Sequence, residues 1–292
     1  MTHSKEKRAV FVCCARNSAL ALPGVLANIA RMEGLFASSA VLFLENDSRD
    51  ATRDVIAAWC RNRPGAELIT VPGLAANPVR TLCLAAARNL ALDTVRARFS
   101  NYDTLIVLDG DEVNAAPANI PAVRRALDFL EEDPTRAAVF ANSGDAYFDL
   151  WALRHPQLCP RDVWEELADH VIAHRVSDAE AYEHTLARHI FALAADAPPL
   201  EVDSAFGGLG IYKMSLVLAN PSRYRGAKMK KNLGWQVCEH VAFHAGLRAA
   251  GGRLFILPWL INCSVANVSF PASAWRSFLF DPRGPGVPAF AP

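Results

Sequence analysis

Apolar residues come in short, unbroken runs that stop abruptly at polar ones. Residues 9–15 (Ala-Val-Phe-Val-Cys-Cys-Ala) give way to Arg16-Asn17-Ser18, residues 40–44 (Ala-Val-Leu-Phe-Leu) to Glu45-Asn46-Asp47-Ser48, and residues 105–108 (Leu-Ile-Val-Leu) to Asp109-Gly110-Asp111-Glu112. Runs of this length without alternation predict strands buried on both faces, as in the middle of a parallel sheet. Between them lie helical spacings, one to about Met32, one to about Trp59 and a long one from about Val79 to Arg98, with a further strand over 67–71. Strand and helix in alternation predict a parallel sheet with right-handed crossovers. The polar stops of three strands then share the carboxyl edge, where open α/β sheets hold their ligands.

The second half is less regular. Residues 137–141 read as a strand, 142–154 as mixed sequence with Tyr147, Phe148 and Trp151, and 160–196 as one or two helices inserted between sheet elements. A glycine-rich segment follows over 202–212, then a basic loop over 223–231, a helix over 238–250 and a strand over 253–257. The Pro-rich end, 281–292, reads as a poorly packed tail.

Composition narrows the classes. Thirty basic and thirty acidic residues cancel, which excludes a non-specific nucleic-acid binder with its basic footprint. Seven cysteines without a C-x-x-C pair predict buried free thiols in a reducing, cytoplasmic compartment. Residues 9–15 are too short for a signal-peptide core, and the run around Leu254 to Leu260 is broken by Pro258, so no membrane span is expected.

Asp109 and Asp111, across Gly110, are oxygen ligands at a strand end and suit Mg²⁺ or Mn²⁺, which leave positions for water and phosphates; the alternative is an acidic turn. The Glu45 to Ser48 turn, with Asp47, is either a helix cap or, with Arg16 beside it, a holder for the base and ribose of a nucleotide. Arg88 is either solvated or a bidentate phosphate contact. Gly207 and Gly208 can bring backbone close to a ligand. Lys230, in the basic loop, could clamp a departing diphosphate or touch an anionic lipid-linked acceptor. Glu239 and His240 open the last helix as candidate base and metal ligand. His170 and His174, four apart, lack a third ligand at recognisable spacing.

In order, the segments Phe11-Val-Cys-Cys-Ala-Arg-Asn17, Leu44-Glu-Asn-Asp-Ser-Arg-Asp-Ala-Thr52, Ala86-Ala-Arg-Asn-Leu90, Leu108-Asp-Gly-Asp-Glu112, Tyr147-Phe-Asp-Leu-Trp-Ala-Leu-Arg154, Phe206-Gly-Gly-Leu-Gly210 and Cys238-Glu-His-Val-Ala-Phe-His244 resemble the GT-A class of nucleotide-sugar glycosyltransferases. Within that class they are similar to the fungal capsule-associated α-1,3-mannosyltransferase family, from which the 160–196 insertion and the Phe206 segment depart. The resemblance implies a GT-A, Rossmann-like, mostly parallel sheet flanked by helices, as one domain over 1–292. It implies a nucleotide-binding half over 9–142 and a sugar- and acceptor-binding half over 143–262. The donor would be a GDP- or UDP-sugar held with Mn²⁺ or Mg²⁺, and the acceptor a glycan or lipid-linked hydroxyl reached from a peripheral position at the inner membrane surface. Asp109 and Asp111 would bind the metal-diphosphate, Arg16, Glu45 and Arg88 the nucleotide end, and Asp149, Trp151 and Glu239 the sugar or acceptor side. In an inverting reaction Glu239 would act as base; the resemblance implies a retaining outcome instead, in which Glu239 would orient the sugar or stabilise positive charge at its anomeric carbon. A sugar-nucleotide pyrophosphorylase and a non-catalytic carbohydrate-binding protein are the rival readings.

Overall fold

In the computed structural model, residues 6–263 and 272–284 are described; most of the 281–292 tail therefore lies outside them. The first half alternates as expected: β1 (Arg8–Ala15), α1 (Leu22–Glu33), β2 (Ser38–Glu45), α2 (Thr52–Cys60), β3 (Ala66–Thr70), α3 (Arg80–Arg98), β4 (Thr104–Asp109), α4 (Ile120–Glu131) and β5 (Arg136–Ser143). The second half has α5 (Val163–His174), α6 (Asp178–His184), β6 (Leu200–Val202), β7 (Leu209–Lys213), α7 (Met214–Ala219), β8 (Ala227–Lys230), β9 (Leu233–Gln236), α8 (His240–Ala249), β10 (Arg253–Cys263) and β11 (Leu279–Phe280).

The main sheet runs β3-β2-β1-β4-β7-β5-β10-β6. The pairs β1–β2, β1–β4, β2–β3 and β5–β10 are parallel, while β7 is antiparallel to both β4 and β5, and β6 to β10. Successive residues of a strand point to opposite faces, and both faces are covered. Val10, Val12, Leu42, Leu44, Leu105 and Val107 pack with Ala91, Leu92 and Val95 of α3. Phe11, Cys13, Val41, Phe43, Ile106 and Leu108 pack with Val25, Ile29, Val123 and Leu127 of α1 and α4. That double burial is why the strands are continuous apolar runs.

The glycine-rich segment contains β7, which enters the sheet between β4 and β5. One expectation changes: the basic 223–231 stretch is not a loop throughout, since β8 pairs with β9, which pairs with β11, in a separate three-stranded antiparallel sheet. The apolar alternation that would have marked this hairpin is missing because Lys228 and Met229 both face solvent. No helix among the described residues is long and apolar enough to cross a membrane.

Candidate active site

The strand register aligns the polar stops. Ala15 pairs with Glu45, Cys14 with Asp109 and Glu45 with Thr70, so Arg16, Asp47 and Asp111 all emerge just past one sheet edge. Gly110 serves a close approach rather than a turn: its amide donates to the Cys14 carbonyl at 3.0 Å. A Cβ there would sit 2.9 Å from Ala15 Cβ and 3.0 Å from that carbonyl oxygen.

Beyond β1 and β2 the two loops are stitched together. The Asn17 amide donates to Ser48 Oγ, the Ala19 amide to Asp50 Oδ2 and the Arg49 amide to Asn17 Oδ1. Glu45 is buried and accepts from the Ser48 amide at 2.8 Å, which fixes the loop before α2, whose N-cap, Ala51, has no side-chain cap. Both oxygens of Asp47 accept backbone amides, Gly73 at 2.8 Å and Ala75 at 2.7 Å. These amides hold its carboxyl below the usual range, with the Arg16 guanidinium adding to the effect. Arg16 itself is exposed. Asp47 is thus committed to shaping the loop after β3, and Arg16 is the exposed cation beside it.

Asp109 closes β4 and Asp111 caps the short turn Glu112–Asn114, accepting from the Val113 amide at 3.2 Å. Burial first, and the neighbouring Asp109 charge second, push Asp111 up to about 6. Asp149 arrives from beyond β5. Its Oδ2 accepts the Gly207 amide at 2.9 Å and its Oδ1 the Ala152 amide at 3.3 Å. Burial pushes it up to about 6 against those two amides, and Asp109 and Glu239 push the same way. Gly207 must be glycine, because its φ is +63° and a Cβ would lie 2.6 Å from the Ala141 carbonyl oxygen. Glu239, 4% exposed, stands at the N-cap of α8.

Arg88 joins the two halves. It lies in the middle of α3, not late in it, and is 3% exposed. Its Nη2 donates to Asp109 Oδ1 and its Nε to Glu239 Oε1, both at 2.8 Å. Neither the solvated nor the phosphate-contact reading describes this placement: two carboxylates already occupy the guanidinium.

His240, expected as a metal ligand, is buried beside Glu239, with its ring stacked 3.9 Å from that of Phe206 and its Nε2 3.6 Å from Glu239 Oε1, and neither ring nitrogen has a hydrogen-bond partner among the described residues. Burial, with Arg88 adding, holds its pKa well below the usual histidine range, so it is neutral. Lys230 pairs with Asp169 of α5 at 2.6 Å and reaches Glu165 at 3.5 Å, so it ties the hairpin to the inserted helix rather than reaching for a phosphate. Trp151 is stacked on Phe278 at 4.8 Å and donates to Asp162. His170 lies against His174 and His184 at ring distances of 4.3 and 5.6 Å, and no group of three metal-ligating side chains is found among the described residues.

Sequence reasoning missed three residues. Arg80, exposed in the first turn of α3, acts electrostatically on Asp111. Asn114 donates to the carbonyls of both Asp109 and Gly208, and Asn262, where β10 turns polar, donates to the Gly207 carbonyl and to Asn114 Oδ1. An arginine just after the Asn77-Pro78 helix start was the available signal for the first; the two asparagines carried none.

The sequence matches no family profile and no curated protein. Among solved structures, a mannosyltransferase from Pyrobaculum calidifontis, in complex with GDP-Man and Mn²⁺, superposes with a TM-score of 0.51 over 94% of this chain at 17% identity. The chain spans 61% of that protein. TarS of S. aureus with UDP-GlcNAc gives 0.48 over 92% of this chain and 61% of its own at 13% identity. Glucosyl-3-phosphoglycerate synthase of Mycobacterium tuberculosis, with Mn²⁺, UDP and phosphoglyceric acid, gives 0.45 over 92% and 73% at 13% identity. The likeness to the Pyrobaculum protein is one of fold: this is a GT-A-type α/β sheet.

Proposed function

We propose that the protein is a metal-dependent glycosyltransferase that moves a hexose from a nucleoside-diphosphate sugar, GDP- or UDP-linked, to a hydroxyl of a glycan or lipid-linked acceptor. The observation that carries this reading is the placement of Asp109, Asp111, Asp149 and Glu239 near the carboxyl edge of a GT-A sheet, with Arg88 as the buried cation, among the described residues, that pairs with two of them. The Asp109 charge acts on both Asp111 and Asp149, a repulsion that a cation relieves.

The donor set fits a hard divalent ion. Asp109 and Asp111 offer oxygen only, and burial first, with the Asp109 charge second, raises Asp111, both penalties on its charged form that a cation relieves. Two carboxylates are enough where a diphosphate supplies further oxygens. When bound, such an ion supplies charge neutralisation for the leaving diphosphate. The chain's own residues do the rest. Arg16 and Arg80, both exposed, attract the anionic donor. The Gly207-Gly208 turn brings backbone against the site and fixes Asp149 through the Gly207 amide. Glu239, held by Arg88, either takes the acceptor proton or faces positive charge at the anomeric carbon. A peripheral seat at a membrane rests on the β8–β9 hairpin, where Met229 and Leu233 are 48% and 45% exposed beside Lys231.

The test is release of UDP or GDP from a panel of nucleotide sugars with Mn²⁺ and with EDTA, alongside calorimetry of the nucleoside diphosphates. Nucleotide binding that vanishes in EDTA supports the reading. Equal affinity with and without metal removes Asp109 and Asp111 from the donor site.

A further inference from the structure

Among the described residues Arg88 is the one buried cation that touches the acid cluster, and its bonding is selective. It takes one oxygen of Asp109 and one of Glu239, at 2.8 Å each, while Asp111 and Asp149 are satisfied by backbone amides instead. Its Cζ lies 5.0 Å from the centroid of the Phe206 ring, so the guanidinium plane is fixed by packing as well as by charge. Nη1 is buried without a hydrogen-bond partner among the described residues. A guanidinium so placed is not there to neutralise the cluster evenly; it divides it.

We propose that Arg88 is a positioning residue that partitions the acids, keeping Glu239 off the metal so that a divalent ion is confined to Asp109 and Asp111. The inference rests on the glycosyltransferase reading for its purpose but not for its physics. A carboxylate gathered near a cation will ligate it unless something else holds the oxygen, and Asp109 lies one guanidinium away from Glu239. The same positive charge repels an incoming divalent ion, so metal binds weakly until a diphosphate arrives with it. Occupancy of the metal site is thereby tied to the donor, and Glu239 stays free for the sugar.

The partition predicts that removing the carboxylate-holding guanidinium strengthens metal binding, which structural damage would not do. The probe is Mn²⁺ alone, measured by calorimetry or by loss of its free paramagnetic resonance signal, on the full chain without nucleotide. Arg88→Gln should bind Mn²⁺ at least about tenfold more tightly than the wild type, because a like charge is gone and a third carboxylate is released. Arg88→Lys should stay near the wild type, and adding Glu239→Gln to Arg88→Gln should cancel most of the gain. If Arg88→Gln folds by circular dichroism and binds Mn²⁺ no better than the wild type, the proposal fails. Should that variant not fold, Glu239→Gln alone decides: unchanged Mn²⁺ affinity upholds the partition, and a loss beyond about threefold shows that Glu239 is a ligand after all. A wild-type chain that binds no Mn²⁺ overturns the metal reading itself, whereas Mn²⁺ binding indifferent to Arg88 overturns only this inference.

Discussion

The two halves of the sheet hold their acids in different ways. In the half up to α4, three carboxylates are fixed by backbone amides close by in the chain or in the next loop, Glu45 by Ser48, Asp111 by Val113 and Asp47 by Gly73 and Ala75, and Asp109 by Arg88 of the adjoining helix. In the other half the holders include remote ones. Asp149 is fixed by the nearby Ala152 amide and by the Gly207 amide 58 residues later, and Glu239 by a guanidinium 151 residues earlier. The first arrangement forms wherever the local loop forms; the second exists only once the sheet is complete. A site with one preformed wall and one assembled wall lets the donor side persist while the sugar side depends on the whole fold.

The largest effect should come from the assembled wall. Glu239→Gln keeps shape and the Arg88 Nε hydrogen bond to an oxygen while removing the charge, so donor binding, which rests on the other wall, should change little. Both roles open to Glu239 act in the transition state, and kcat should fall by roughly a hundredfold or more. Near-normal transfer by this variant would reduce Glu239 to a helix-start carboxylate and pass its role to Asp149.

Legibility in the sequence follows the same division. Asp109 and Asp111 could be read because an apolar run stops at them, and Arg16, Glu45 and Asp47 because their strands stop at the same edge. Arg88 could be seen only as an arginine on an alanine-rich helix, since both of its partners arrive by long-range folding. The β7 strand was hidden because Gly207 and Gly208, with φ of +63° and +80°, interrupt the run before Leu209, and period alone does not give strand direction. His240 could be read only as polar chemistry beside a glutamate, since the Phe206 ring it stacks on arrives by long-range folding.

A middle-sized effect separates the walls by pH. Asp111 stands at about 6 in the folded chain, against about 3.9 for an unfolded aspartate. Between these values the folded chain holds more protons than the unfolded one, so Asp111 costs stability increasingly as pH rises through the window, fully so above about 6. In EDTA at pH 7.5, Asp111→Asn should therefore melt a few degrees higher than the wild type, roughly 2–4 °C, and the gain should vanish near pH 4. Mn²⁺ with a nucleoside diphosphate should reverse the order, since it stabilises only the chain that keeps the carboxylate. A variant that melts lower than the wild type in EDTA at pH 7.5 would mean that Asp111 is not crowded by Asp109.

The smallest effect concerns the hairpin, and it tests whether the second half's basic run belongs to the site at all. Lys230 is 22% exposed and its partner Asp169 is 41% exposed, so their attraction is screened by water and worth about 1 kcal/mol at most. Its other neighbours are Glu165 and the Trp235 ring, with the ammonium 5.0 Å from the ring centroid, none of them in the acid cluster. Lys230→Ala should leave donor affinity and kcat within about twofold of the wild type and shift the melting temperature by no more than about 2–3 °C. A tenfold loss of donor affinity would put Lys230 on the diphosphate, and the hairpin would then have to leave α5 and swing over the carboxyl edge when the donor binds.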